Sequence, residues 1–208
     1  MSDIEKNRRP IEARSANWAQ KSAQFLASTN VTPNQISVAS VFFAMIGAGL
    51  LMLYRTPEGL IGCALAIQVR LVCNLLDGMV AVEGGKKSPL GQLYNEFPDR
   101  IADSVLIVAL GYSIGLPSLG WFGALAAALT AYVRVFGGSL GLPQDFRGPM
   151  AKQHRMAVVT AGCLLGTAEQ ALNGSLHALA IASVVIAAGS VLTCITRTSA
   201  IADQLRGA

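Results

Sequence analysis

Long apolar stretches separated by short polar turns are the main pattern along this chain. The twenty-one residues from Asn34 to Tyr54 are all uncharged, which is enough for one membrane span at about 1.5 Å of rise per residue. Just before them, Thr32 can cap a helix that has Pro33 at its first position. The pattern predicts six spanning helices, of about Asn34 to Tyr54, Gly59 to Val82, Leu90 to Ile114, Leu119 to Leu140, Met150 to Ala168 and Leu176 to Thr196.

The third predicted span follows from length. Only eleven residues run from Ser104 to the turn that begins at Gly115, which is too few to cross a bilayer. The span therefore has to begin near Leu90. This prediction carries Asp99 and Asp103 into the membrane.

The first 29 residues are basic and place apolar residues at roughly heptad spacing, namely Ile11, Trp18, Phe25 and Leu26. This spacing predicts an amphipathic helix on the membrane surface. The alternative is a solvated basic tail. We expect residues 1–29 to form this juxtamembrane segment and residues 30–208 to form the transmembrane part of one integral membrane domain.

Composition supports an all-α polytopic membrane protein. Of the 208 residues, 52% are hydrophobic and only 13% are charged, which excludes an ordinary soluble domain. The net charge of +4 does not indicate nucleic acid binding, because no basic patch is interleaved with aromatic residues. A second copy of the chain, in a homodimer, is a further candidate partner.

The basic residues instead follow membrane topology. Positive charge occurs at the N-terminus and at alternate turns, whereas the other turns contain only Arg55. By the positive-inside rule, both termini and the charged helix ends should lie on the cytoplasmic side of the cytoplasmic membrane. The residues concerned include Lys86, Lys87, Arg147, Arg197 and Arg206.

Charged residues inside apolar segments are the strongest indication of function. Each costs roughly 2.5 to 3.5 kcal/mol at membrane depth on a lenient scale, and five of them occur close together in the sequence: Arg70, Asp77, Asp99, Arg100 and Asp103. The alternative is a network of salt bridges that holds helices together without chemistry.

The spacing of these residues predicts a metal site. Asn74 and Asp77 share one helix face, and Asn95, Asp99 and Asp103 share a face of the next helix. The two faces together offer three carboxylates and two amides. Oxygen ligands of this kind suit a hard cation such as Mg²⁺.

The same residues resemble the signature of the CDP-alcohol phosphotransferase, or CDP-alcohol phosphatidyltransferase, family. That signature reads DxxDGxxAR, then eight or nine residues, then GxxxDxxxD. The matching positions here are Asn74, Asp77, Gly78, Ala81, Val82, Gly91, Asn95 and Asp99. The spacing is kept, but two asparagines replace aspartates and Val82 replaces an arginine. A shifted register, with Asp99 and Asp103 as the last two aspartates, is a second alignment.

The resemblance implies a membrane transferase of phospholipid biosynthesis. Such an enzyme moves a phosphatidyl-type group from a CDP-linked lipid, such as CDP-diacylglycerol, to an alcohol and releases CMP. Asn74, Asp77, Asn95 and Asp99 would bind Mg²⁺ or Mn²⁺, Asp103 could contribute as well, and Asp99 would also be the catalytic base. The resemblance places Gly78, Ala81 and Gly91 in the nucleotide pocket.

A basic stretch beyond the predicted fourth span offers a site for a phosphorylated acceptor. Lys152 and Arg155 resemble the KxxR at the start of the family's fifth helix, and Arg134 and Arg147 could join them in binding phosphate. The alternative for these residues is anchoring at the membrane surface.

Two rival functions remain open at this point. The first is a degenerate relative that binds nucleotide or lipid, or serves as a membrane partner, without catalysis. The second is a small transporter, which the lack of an internal repeat disfavours.

Overall fold

The computed structural model describes residues 12–207, in which a short 3₁₀ turn, Glu12–Ser15, precedes seven α-helices. The first helix is short, whereas the other six have between 21 and 30 residues each. The helices are α1 (Asn17–Ser28), α2 (Pro33–Leu53), α3 (Pro57–Val82), α4 (Gly91–Ser113), α5 (Pro117–Ser139), α6 (Lys152–Asn173) and α7 (His177–Arg206).

Local sequence explains where the helices begin. Thr32 accepts a hydrogen bond from the backbone N–H of Gln35, whose side chain accepts one from the N–H of Thr32, so α2 begins with a capping box. Pro33 occupies its first turn, as predicted. At the start of α3, Thr56 accepts a hydrogen bond from the backbone N–H of Gly59, and Pro57 occupies the first turn. These caps satisfy backbone donors that a helix leaves unpaired.

Helices α2 to α7 form one antiparallel bundle around an apolar core of small and aliphatic residues. Near the middle of the bundle, α2 packs on α3 and α4, and α6 packs on α3 and α7. Many large apolar side chains of α2, α3, α5 and α7 remain exposed on the outside, including Phe42, Leu65, Trp121 and Ile181. An outer surface of this kind suits contact with lipid.

The prediction of six spanning helices is wrong. Within the described residues, four helices are long and apolar enough to cross a membrane, namely α2, α3, α5 and α7. The third and fifth predicted spans do form helices, α4 and α6. However, α4 contains Glu96, Asp99, Arg100 and Asp103, and this charge makes it too polar to count as a span by composition. Helix α6 begins with charged residues as well.

Helix α1 packs beside the C-terminal half of α3. Ala19 and Ala23 are buried there in a small cluster with Met79 and Val80. On other faces of the helix, Trp18 and Phe25 are 50% and 69% exposed. Ile11, the first residue of the predicted amphipathic stripe, lies outside the described residues.

Helices α4 and α5 approach each other most closely at two glycines. A Cβ atom added to Gly111 would lie 2.5 Å from the Cα of Gly120 and 2.9 Å from the carbonyl oxygen of Leu116. Both atoms belong to the backbone, so a side chain at Gly111 could be accommodated only by moving a helix.

We therefore expect Gly111→Ala to destabilise the protein by about 1 to 3 kcal/mol, the usual cost of overpacking a core. Thermal unfolding of the detergent-solubilised protein measures it. Gly138→Ala on α5 is the matched control, because a Cβ there meets nothing within 4 Å. Equal unfolding midpoints for the two variants would contradict the tight packing of α4 on α5.

Candidate active site

Charged side chains gather at one end of the bundle, where the C-terminal half of α3, the N-terminal half of α4 and the first turn of α6 meet. Their antiparallel order places these three segments at the same end. Six residues form what we call the ion-pair cluster: Arg70, Asp77, Asp99, Asp103, Lys152 and Arg155.

Asp103 lies at the centre of the buried part of this cluster. Its carboxylate accepts a hydrogen bond from Arg70 Nη2 at 2.6 Å and two from Arg155, from Nη2 at 2.8 Å and from Nε at 3.2 Å. The two arginines are 0% and 1% exposed. Arg155 also donates to the carbonyl oxygen of Met150 at 2.7 Å and to Thr130 Oγ1 at 3.3 Å. Asp103 thus ties α3, α4 and α6 together and uses both of its oxygens in doing so.

Asp99 is bound from two sides. Asn74 Nδ2 donates to its Oδ1 at 2.9 Å, and the ammonium of Lys152 donates to its Oδ2. Arg70 Nη2 lies 3.7 Å from Oδ1, and Arg100 Nη2 lies 4.0 Å from Oδ2. Asp99 therefore has one close cationic partner, Lys152.

Asp77 has a buried oxygen without a partner. The hydroxyl of Ser37 donates to its Oδ2 at 2.5 Å, while Oδ1 is buried and has no hydrogen-bond partner among residues 12–207. Such an atom is unfavourable in a closed protein. Asn74 lies one turn before Asp77, and its contact with Asp99 uses the amide nitrogen, so its carbonyl oxygen is not engaged there. These oxygens fit the preferences of a hard divalent cation.

The six residues of the cluster carry three negative and three positive charges, and Arg100, 4.0 Å from Asp99, adds a further positive charge beside them. Within the described part of the chain, no three His, Cys, Asp or Glu side chains are arranged to hold a metal ion. A cation bound beside Asp77 and Asp99 would therefore need the amide oxygen of Asn74 as a further ligand.

The other residues of the signature are less buried than Asp77 and Asp99. Asn95 is exposed on α4 one turn before Asp99, and Gly78 and Ala81 are half-buried on α3. A Cβ added to Gly91 would meet no atom within 4 Å, so the start of α4 borders open space.

The four predicted phosphate-binding cations separate into two groups. Lys152 and Arg155 belong to the ion-pair cluster. Arg134 instead pairs with Glu96 at 2.5 Å, donates to Gln144 Oε1 at 2.8 Å, and places its guanidinium carbon 5.3 Å from the centre of the Phe146 ring. The Arg147 side chain, at 59% exposure, pairs with Asp145 at 2.8 Å.

Two residues of the site were not singled out from the sequence. Ser37 is the hydrogen-bond donor to Asp77, and its position one turn after Pro33 in α2 was the only signal. Arg197 is 4% exposed and donates to the carbonyl oxygens of Thr130 at 2.6 Å and Arg147 at 2.9 Å. It thereby fixes the loop of residues 140–151, which leads to Lys152. In the sequence, Arg197 stood out only as one of the basic residues that indicate membrane topology.

We expect Asp103→Asn to destabilise the protein by about 3 to 5 kcal/mol, because it leaves the buried Arg155 without a counter-charge and Arg70 with only the longer pair to Asp99 at 3.7 Å. Denaturant or thermal unfolding in detergent measures the loss. Asp203→Asn is the control, since Asp203 makes only an exposed pair with Arg206 at 3.6 Å, and such pairs contribute little. An Asp103→Asn protein as stable as wild type would show that the arginines do not depend on this carboxylate.

The chain is similar to proteins of one known family. The model of the CDP-alcohol phosphatidyltransferase family matches residues 30–195. An archaetidylinositol phosphate synthase of Aeropyrum pernix is 33% identical over 88% of this chain and 90% of its own length. A bifunctional IPC transferase and DIPP synthase of Rubrobacter xylanophilus is 35% identical over 71% of this chain, which spans only 34% of that relative's length.

The fold also matches a solved structure. A crystal structure of Mycobacterium tuberculosis phosphatidylinositol phosphate synthase with CDP-DAG bound has a TM-score of 0.75, covering 89% of this chain and 94% of that chain. The same synthase in complex with manganese and citrate gives a TM-score of 0.73, covering 88% of each chain. With identities of 21% and 20%, these matches show a shared fold.

Proposed function

The chain belongs to the CDP-alcohol phosphatidyltransferase family, and we propose that its acceptor is a phosphorylated alcohol of the inositol phosphate type. As a transferase of this family, it moves a substituted phosphate group from a CDP-linked lipid to an alcohol and releases CMP. The relative from Aeropyrum pernix is named as a synthase of an inositol phosphate lipid. For the donor we propose CDP-diacylglycerol.

The observation that carries the chemical assignment is the position of Asp99. It lies on α4 at the polar end of the bundle, held by Asn74 and Lys152 and only 7% exposed. In the reaction, the acceptor hydroxyl oxygen bonds to the phosphorus that bears the lipid, and the bond from that phosphorus to CMP breaks. We assign Asp99 as the base that takes the hydroxyl proton.

We propose that a divalent cation, Mg²⁺ or Mn²⁺, is bound by Asn74, Asp77 and Asp99. The support is the buried, unpartnered Oδ1 of Asp77 and the unengaged oxygen of Asn74. The exposure of Asn95 and the arginine pairs of Asp103 leave both outside this ligand set. When bound, the cation supplies charge neutralisation of the pyrophosphate.

For the nucleotide we propose the edge formed by Gly78, Ala81 and Gly91. All three have small or absent side chains, and the open space beside Gly91 allows a ligand to approach the backbone. For the acceptor phosphate we propose Lys152, Arg134 and Arg147. Arg155 is too buried and too fully paired to reach a ligand, so we assign it a supporting role beside Asp103.

The chain is an integral membrane protein, and we propose that the cluster and both termini face the cytoplasm. Helices α2 to α7 alternate in direction and are even in number, which would place the start of α2 and the end of α7 at the same end of the bundle. The basic residues of the turns at the cluster's end support the cytoplasmic assignment. At the same end we place α1 on the membrane surface, with Trp18 and Phe25 toward the lipid.

We expect Asp77→Ala and Asp99→Ala each to lower metal-dependent CMP release by at least about 10²-fold, since each removes a ligand and Asp99 also removes the base. Radiolabelled CDP-diacylglycerol and inositol phosphate, with purified protein in mixed micelles, measure the rate. Asp203→Ala, at an exposed carboxylate of α7, is the control.

Two results would contradict this assignment. CMP release at the wild-type rate in either variant would exclude the carboxylate as ligand or base. A wild-type protein that binds CDP-diacylglycerol but releases no CMP with any divalent cation would favour the binding-only alternative.

Gly91→Ala tests whether the nucleotide binds beside the start of α4. The structure has room for the methyl group, and alanine is intrinsically favoured over glycine in helices, so folding should be as stable as in wild type. If the nucleotide approaches the backbone there, KM for CDP-diacylglycerol should rise several-fold. Gly49→Ala on α2, also with nothing within 4 Å, should leave KM unchanged. Equal KM values for both variants would remove Gly91 from the pocket.

A further inference from the structure

We propose that Lys152 is the resident counter-ion of Asp99, and that a divalent cation binding at this carboxylate displaces the lysine and frees its ammonium group to bind an anion. This inference rests on the metal site proposed above. It adds a coupling between the cation and the phosphorylated acceptor through one residue of this chain.

The contacts of the cluster single out this lysine. Its ammonium group bonds to Asp99 Oδ2. Asp103, the other acidic side chain of α4 in the cluster, already accepts three hydrogen bonds from Arg70 and Arg155. Asp99 is thus the carboxylate through which Lys152 is held in the site.

Charge explains why the lysine is needed when no metal is bound. The side chain of Asp99 is 10% exposed, and its other cationic neighbours, Arg70 and Arg100, lie at 3.7 Å and 4.0 Å. Lys152 therefore supplies the close counter-charge that a buried carboxylate requires. Asparagines stand at two signature positions, Asn74 and Asn95, so the cluster has fewer negative charges than the family pattern provides. The three carboxylates of the cluster already face its three cations and Arg100, so an added dication would leave an excess of positive charge. Withdrawal of Lys152 from Asp99 relieves that repulsion.

Lys152 is also the most exposed cation of the cluster, since the side chains of Arg70 and Arg155 are 0% and 1% exposed. It is the first residue of α6, its side chain is 20% exposed, and its ammonium sits on a flexible four-carbon stem. Arg155, one turn later, is fixed by Asp103, Thr130 and the carbonyl oxygen of Met150. A cation can therefore displace the lysine without disturbing the arginine pairs.

The consequence is an order of binding. When Lys152 is paired with Asp99, the carboxylate balances the positive charge of the ammonium group, which therefore attracts anions only weakly. With Asp99 bound to a dication, the same ammonium becomes available at the edge of the site for a phosphate-bearing acceptor. The two sites then raise each other's affinity, because coupling between ligands is reciprocal.

The test is chemical labelling of the full-length protein in detergent. A water-soluble acetylating reagent is applied with and without Mg²⁺, and peptide mass spectrometry follows each lysine. We expect Mg²⁺ to raise the labelling rate of Lys152 several-fold while Lys87, exposed in the turn between α3 and α4, is unchanged. Unchanged or slower labelling of Lys152 at saturating Mg²⁺ would overturn the proposal.

Calorimetric Mg²⁺ titration provides the second measurement. Lys152→Gln removes the competing charge and should tighten Mg²⁺ binding about tenfold, equivalent to about 1.4 kcal/mol. Lys152→Arg keeps the charge and should bind Mg²⁺ as wild type does, and Lys87→Gln controls for net charge. Equal affinity in Lys152→Gln and wild type would overturn the displacement.

The outcomes separate this proposal from the one on which it rests. If wild type binds Mg²⁺ and releases CMP but neither measurement responds at Lys152, only the counter-ion role fails. If neither wild type nor Lys152→Gln binds Mg²⁺, the metal site itself fails and the displacement fails with it. Thermal unfolding of each variant confirms that the comparison is between folded proteins.

Discussion

The pairing of Asp103 with Arg70 and Arg155 is the interaction on which the polar end of this bundle depends. Three charged groups are removed from solvent there, and each is acceptable only because the others are present. The pairing joins α3, α4 and α6, and through Arg155 it reaches Thr130 on α5 and the backbone at Met150. Asp99 and Asp77 can remain buried at this end because these contacts hold the helices that bear them.

The cluster thus has two layers with different properties. In the inner layer, Arg70 and Arg155 bind both oxygens of Asp103, which fixes α3, α4 and α6 relative to one another. The outer layer, around Asp77 and Asp99, has an unpartnered oxygen, an exchangeable lysine and open space beside Gly91. A membrane enzyme that must admit a charged headgroup needs both, because a site without a fixed layer would not keep its ligands in place.

Much of this arrangement follows from the sequence. The three-residue and four-residue spacings of Asn74, Asp77 and Asp99 put them on facing helices, and Thr32 with Pro33 began α2 as the local pattern indicated. The side-chain partners did not follow. Whether Asp103 binds a metal ion or an arginine side chain depends on the position of α6, which lies about fifty residues away in sequence. Ser37 likewise gained its role from a contact with another helix. The number of spans was overestimated because length was weighed above the charge in α4.

Through Arg197, the last helix holds part of the site, although Arg197 lies far from Asp77 and Asp99 in sequence. Its guanidinium binds the carbonyl oxygens of Thr130 and Arg147, so the loop that delivers Lys152 is fastened to α7. Shortening the protein before Arg197 would release that loop and loosen the outer layer, even though Asp77 and Asp99 would be untouched. Affinity tags and fusion partners for purification are therefore best attached beyond Arg206, through a flexible linker that leaves the final turns of α7 intact.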